Sequence, residues 1–360
     1  MPGILWKYFF KYYLKNTLYF LLAITVLIFV IDLNEIQTRM GGLPKYETSW
    51  GIILVFTRVP LIIQQVIPFI ILVANIVVFF RLNKTNELIV SRAIGISIWQ
   101  LLAPFATGSF LIGIFIILFV NPISITGEKI GNNIIEQWQN NDNKKSKIIP
   151  WAHLKNPQQE IFVGAKKIIP GKNILKDVSI ITVDKKSKII HRQDAHHAII
   201  NNNEIYLKDV FEYQYDTAPI FRESMVLNIP IKINGFQKIS EQFLPYSFYD
   251  IVKKIIFYNE SNVFLNHRLE TQFYFLISIP FMLVAMTLIA ASVSLDFNRS
   301  NQPRIIIAYG IFAGVMLYTI ITLMKSLGKN GTLLPYAAAL IPIVSTVSLS
   351  ILILLKKEDG

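Results

Sequence analysis

Asp32 and Glu35 close the first long apolar run of the chain, Arg39 follows them, and Arg58 interrupts the next run. Ionisable side chains at such places are costly in lipid, so they mark candidate binding chemistry. The plainer reading of Asp32 and Glu35 is an interfacial cap on the run. Arg58 and Gln65 share a helix face, with Gln64 and Asn75 on the same run, and they would either line a polar cavity or bond to a neighbouring helix. The histidines offer a second chemistry. His191, His196 and His197 invite a metal, with His153 and His267 the remaining histidines. Adjacent histidines on a strand are expected on opposite faces, and no carboxylate stands at ligand spacing, so the expectation is no metal site. There is no Walker A loop, no Gly-x-Ser-x-Gly elbow and no His-Glu-x-x-His motif. Gly328-Lys-Asn-Gly331 lacks the spacing for phosphate cradling. Without cysteine there is no thiol catalysis, disulfide or thiolate metal site. No catalytic residue and no bound cofactor is expected.

Arg81–Ser97 lies between two apolar runs. Arg81, Lys84, Glu87 and Arg92 alternate there with Leu88, Ile89, Val90, Ala93 and Ile94. On a helix, Leu88, Ser91, Arg92 and Gly95 fall along one side and Glu87, Val90, Ala93 and Ile94 along another. Such a segment either lies on lipid headgroups or docks a protein, and the small residues Ser91, Ala93 and Gly95 suit close packing against protein.

The elements that must position these residues are membrane spans. The 360 residues are 53% hydrophobic and only 16% charged, with net charge +12. Mean hydropathy is +0.47 and pI about 9.6. A soluble domain carries about 25% charged residues. The cations flank apolar runs rather than forming one basic block, which argues against nucleic acid as a partner. About 20 apolar residues cross the hydrocarbon as helix. Runs near Tyr13–Ile31, Trp50–Phe80 and Trp99–Val120 qualify, then Phe273–Leu295, Ile305–Met324 and Leu333–Leu355. The first is too long for a cleaved signal peptide and reads as an anchor. Pro60 and Pro68 predict kinks in the second. With the N-terminus in the cytoplasm, Lys7, Lys11, Lys15, Arg81, Lys84, Arg92, Arg299, Arg304, Lys356 and Lys357 lie inside. Only Arg39, Lys45, Lys325 and Lys329 lie in the opposite short loops, so the positive-inside rule favours this orientation, with the C-terminus also inside.

Residues 121–267 are too many for a loop and predict an extracytoplasmic domain. Glu160–Val163, Val178–Val183, Lys188–His191, Glu204–Leu207 and Met225–Ile233 alternate like strands, with turns at Asp184–Ser187 and Asn201–Asn203. Many short strands suggest a sandwich or jelly roll. Gly127–Gln139 and Tyr246–Tyr258 read as helices. The expected fold is thus an α-helical polytopic membrane protein. Residues 1–120 carry three spans and the helix near 81–97, the all-β insert follows, and residues 268–360 carry three more spans.

Several of these motifs, in this order, resemble the LptF/LptG permease family of lipopolysaccharide export. Glu87-Leu-Ile-Val-Ser-Arg-Ala-Ile-Gly-Ile-Ser97 is similar to that family's coupling helix. Arg58-Val-Pro60 with Ile67-Pro68 is similar to its second span, and Gly127-Glu128 to the residues after its third. Leu327–Pro335 followed by Ala337–Pro342 is similar to its loop into the last span. Ile31-Asp-Leu-Asn-Glu35 resembles the LptG branch. Two departures stand out. Leu27-Ile-Phe-Val30 holds no lysine where characterised members carry one, and Lys129 is the lone base after Gly127-Glu128.

The resemblance implies a non-catalytic subunit of an ABC transporter in the bacterial inner membrane. It would pair with an LptF-like permease and with two cytosolic LptB-type ATPases, which use the ATP. Spans one and five would line a cavity for lipopolysaccharide. LptC and LptA-type proteins would continue a β-jellyroll bridge from the periplasmic insert. Glu87, Leu88, Arg92, Ala93 and Gly95 would form the ATPase-coupling helix. Asp32, Glu35, Arg39, Lys45, Arg58 and Lys129 are this chain's candidates at the lipid headgroup. The readings set against it are a membrane-bound lipid-modifying enzyme and a membrane scaffold or sensor.

Overall fold

Long runs of Leu, Ile, Val and Phe leave a backbone in lipid no partner but itself, which selects helix. The computed structural model describes residues 3–42, 47–139, 152–155, 159–169, 174–184, 189–201, 204–214, 218–228, 246–257, 263–295 and 304–358. Lys45, Arg299 and the predicted strand residues 229–233 lie outside them. The helices are α1 (Gly3–Met40), α2 (Thr48–Lys84), the short α3 (Glu87–Ala93), α4 (Ile98–Phe115) and α5 (Asn121–Gln139). A π-helical turn, Ile116–Val120, joins α4 to α5. Six strands follow, then α6 (Phe248–Phe257), α7 (Val263–Ser294), α8 (Arg304–Lys329) and α9 (Pro335–Glu358). Among the described residues, six helical stretches are long and apolar enough to cross a membrane. At 1.5 Å per residue, the 38 residues of α1 extend about 57 Å, so it overshoots a hydrocarbon layer of about 30 Å. That is why Asp32, Glu35 and Arg39 continue the helix rather than capping it. Likewise α2 runs through both Pro60 and Pro68 without ending.

The chain divides into two compact units, residues 1–139 with 246–360, and residues 140–245. Helices α5 and α6 therefore group with the spans, where the sequence pattern reads the first as a continuation of the third span and the second as leading back to the membrane. In the helical unit α7 is the hub. Its most apolar window is 78% buried, against 11% for α1 and 22% for α8. It packs on α2, α4, α8 and α9.

Apolar side chains gain nothing by leaving lipid for one another, so close packing and polar bonds must order the helices. Tyr13 of α1 shares a 2.8 Å hydrogen bond with Ser109 of α4, and Ser109 one of 2.6 Å with Thr287 of α7. Thr287 also accepts from Asn75 Nδ2 of α2 at 3.1 Å and donates to the Leu283 carbonyl at 3.0 Å. All four side chains are buried. Helix α2, the π-helical turn and α6 are tied in the same way. Asn121 donates to Gln64 of α2 at 3.4 Å and accepts from the Phe248 amide of α6 at 2.8 Å. The Tyr249 hydroxyl donates to the Leu118 carbonyl in the π-helical turn at 3.2 Å.

The second unit is one antiparallel meander, β1 (Ala152–Lys155), β2 (Gln159–Ile169), β3 (Ile174–Asp184), β4 (Ile189–Asn201), β5 (Glu204–Gln214) and β6 (Ile220–Asn228), each strand beside its sequence neighbour. Val163, Val178, Ile180, Ala198, Ile205 and Val210 line its buried face. One row crosses the strands as a crease. The ladder skips Asp177, His196 and Asp209, which stand opposite one another. Asp177 and Asp209 have left-handed φ of 49° and 57°. Alternation slips by one residue there, so Lys176 and Asp177 are both exposed between buried Leu175 and Val178. His196 and His197 are therefore both exposed, not on opposite faces as simple alternation predicts. The His196 Nδ1 lies 2.9 Å from Asp177 Oδ1.

Tyr13→Phe removes the first donor of the four-helix run while keeping the ring. We expect a loss of about 0.5–1.5 kcal/mol, read as a lowered melting temperature in lipid nanodiscs. An unchanged melt would show that the run does not hold α1.

Candidate functional site

Two places gather the residues singled out above. The first is the segment after α2. Only Glu87–Ala93 is helical, shorter than the stretch 81–97 predicted from the pattern. Helix α2 takes the residues up to Lys84, Asn86 turns the chain with a φ of 60°, and Ser97 caps α4 through the Gln100 amide at 3.2 Å. At its other end the Gly95 amide bonds to the Arg92 carbonyl at 2.8 Å and the Ile96 amide to Ser91 at 3.2 Å. These are the two bonds of a Schellman turn, which requires a left-handed residue. Gly95 supplies it with a φ of 89°. Its role is thus conformational, and nothing packs against its missing side chain.

The two sides of α3 match the sequence pattern. Leu88 and Ser91 are buried, Arg92 is half-buried, and Val90, Ala93 and Ile94 are exposed. Ile94 is 69% exposed, an unusual position for an isoleucine beside a charged turn. Glu87 bonds within the protein. Its carboxylate accepts from Tyr8 of α1 at 3.0 Å and from Thr85 at 2.9 Å. The Tyr8 link, between residues far apart in the chain, has no periodic signal in sequence.

The second place lies at the other end of α1. A cavity of about 340 Å³ opens between α1, α2 and α5. Glu35, Arg39 and Met40 line it from α1, Leu54, Arg58 and Leu61 from α2, and Glu128, Asn132 and Ile135 from α5. Gly127 makes it possible. A Cβ there would collide with the Thr57 carbonyl, so only glycine lets α5 approach α2 this closely. The cavity brings together Glu35, Arg39 and Arg58 from the sequence candidates. Asp32 sits beneath it, buried, with Oδ1 3.2 Å from the Arg58 guanidinium. Lys129 is exposed and does not line the cavity; its neighbour Glu128 does. Gln64 rather than Gln65 makes the interhelical bond, and Gln65 is exposed.

Both cations of the cavity are already paired. Arg39 meets Glu35 at 3.2 Å, one turn away, and both are well exposed. Such a pair adds at most about 0.5 kcal/mol. Arg58 is 37% exposed but its partner Asp32 only 5%. Asp32 Oδ2 has no hydrogen bond among the described residues. Arg58→Gln should therefore cost roughly 1–3 kcal/mol, below the 3–5 kcal/mol of a fully buried pair because water reaches the guanidinium. Arg39→Gln should cost less than about 0.5 kcal/mol. Melting temperatures of the two variants in nanodiscs check this, and equal losses would contradict the assignment of Asp32 to Arg58.

The family described as lipopolysaccharide export system permease LptF/LptG matches this chain over residues 7–356. Comparison with curated proteins returned no match. The matched span takes in all six apolar helices, the short α3 and the sheet between them. The chain belongs to the LptF/LptG family of lipopolysaccharide export permeases and is a multi-pass inner-membrane protein.

Proposed function

We propose that this chain is the LptG-type half of an ATP-driven exporter that lifts lipopolysaccharide out of the inner membrane. The carrying observation is α3, a seven-residue helix held by a Schellman turn, with Val90, Ala93 and Ile94 exposed. A cytosolic LptB-type ATPase docks on that outward side, with Arg92 at its margin. Leu88 seats the helix against the bundle, and Glu87 links it to α1 through Tyr8. A push on α3 therefore passes directly to the first span. The chain binds no cofactor of its own; ATP is used by two LptB-type subunits, one for this permease and one for an LptF-like partner.

The termini and α3 lie in the cytoplasm and the sheet in the periplasm, as the distribution of Lys and Arg favours. The sheet begins a β-jellyroll series continued by LptC and LptA-type proteins. Strand-to-strand addition at an open edge is the chemistry that would join them. At the outer end of α1, the Arg39 and Arg58 guanidiniums receive the phosphorylated headgroup, for which planar bidentate donors are well suited.

Ile94→Glu and Glu87→Lys should each abolish co-purification of the ATPase, the first by placing charge in the docked face and the second by severing α3 from Tyr8. Normal recovery of the ATPase with both variants would remove α3 from the coupling role. Photocrosslinkers at positions 39 and 58 should capture lipopolysaccharide in cells, and capture at neither would exclude the cavity as the headgroup site.

A further inference from the structure

The charge in the cavity between α1, α2 and α5 is not that of a simple anion site. Arg39 and Arg58 are opposed there by Glu35 and Glu128 on the walls and by Asp32 beneath. With all five ionised, the carboxylates exceed the guanidiniums. A bare phosphate would have to displace Glu35 from Arg39 or Asp32 from Arg58. Displacing Asp32 would strand a carboxylate that is only 4% exposed and whose Oδ2 has no hydrogen bond among the described residues. Breaking a buried pair in this way is strongly unfavourable.

We propose that the pocket is built for a phosphate that arrives with its own positive charge. The phosphate then takes the guanidinium while its companion cation takes the released carboxylate, so each buried charge exchanges one partner for another. Glu128, which has no cation among the pocket's own α5 residues, supplies a second contact for the incoming charge. The companion is either an ammonium group attached to the phosphate or a divalent cation bridging it. This deepens, and rests on, the reading of the cavity as the headgroup site. It also accounts for an acidic wall in a site otherwise assigned to an anionic lipid.

The test uses the full chain with its co-purifying partners in nanodiscs of neutral lipid. The probes are diphosphorylated lipid A and the same lipid A carrying phosphoethanolamine, each measured with EDTA and with Mg2+. With EDTA the amine-bearing form should bind at least about tenfold more tightly. If Mg2+ then brings the plain form level, a divalent ion serves as the companion; if it does not, the attached amine is required. Equal binding of the two forms in EDTA would overturn the proposal. Asp32→Asn and Glu128→Gln should each shrink the preference by strengthening the plain form. A ratio unmoved in both variants would also overturn it. Arg58→Gln and Arg39→Gln report separately on the site. If neither weakens either lipid, the headgroup binds elsewhere and the reading of the cavity itself fails, whatever the ratio.

Discussion

The hydrogen-bonded run from Tyr13 through Ser109 and Thr287 to Asn75 sets the register of four helices at once. Lipid tails are as apolar as leucine, so the many Ile and Leu contacts of the bundle do not by themselves choose one rotation over another. A buried hydroxyl without a partner is unfavourable, and that penalty does choose. Because α1 is fixed at Tyr13 and again at Tyr8, its distant end is placed as well. Asp32 and Arg39 can meet α2 and α5 only if α1 holds that rotation.

The two candidate regions occupy opposite ends of this helix. Tyr8 touches Glu87 beside α3, Glu35 and Arg39 line the cavity, and Asp32 pairs with its Arg58. A continuous helix of 38 residues joins the two, as the proposed passage of a push from α3 requires. The low burial of α1 suits that role, since a helix set deep among others would need its neighbours to move first.

Much of this was legible in the sequence, and the failures have physical causes. Hydropathy located every long helix because the bilayer imposes one length scale. Period-3.6 counting divided α3 into two sides, and the structure shows that the side with Leu88 and Ser91 is the seated one. Lys129 entered as the lone base after Gly127-Glu128 rather than through any period, and its neighbour Glu128 lines the cavity instead. Strict alternation assigned successive strand residues to opposite faces. It failed at His196 and His197, because the crease breaks the period of two. Strand cores were found, yet β4 and β5 extend beyond the predicted segments, since their polar stretches include the exposed side of the crease. The Tyr8–Glu87 bond and the Asp32–Arg58 pair depend on tertiary approach, which no local pattern encodes.

The crease in the sheet bears on descent as well as on shape. Asp177, His196 and Asp209 are each one residue inserted into the alternation of its strand, and they stand in one row. Were β4 to lose His196 alone, every apolar side chain on one side of it would turn outward while those of β3 and β5 stayed in place. Only losing the matching residue from all the strands together would preserve the buried face. Strand length in this unit is therefore a collective heritable trait, closed to single-residue insertion or deletion.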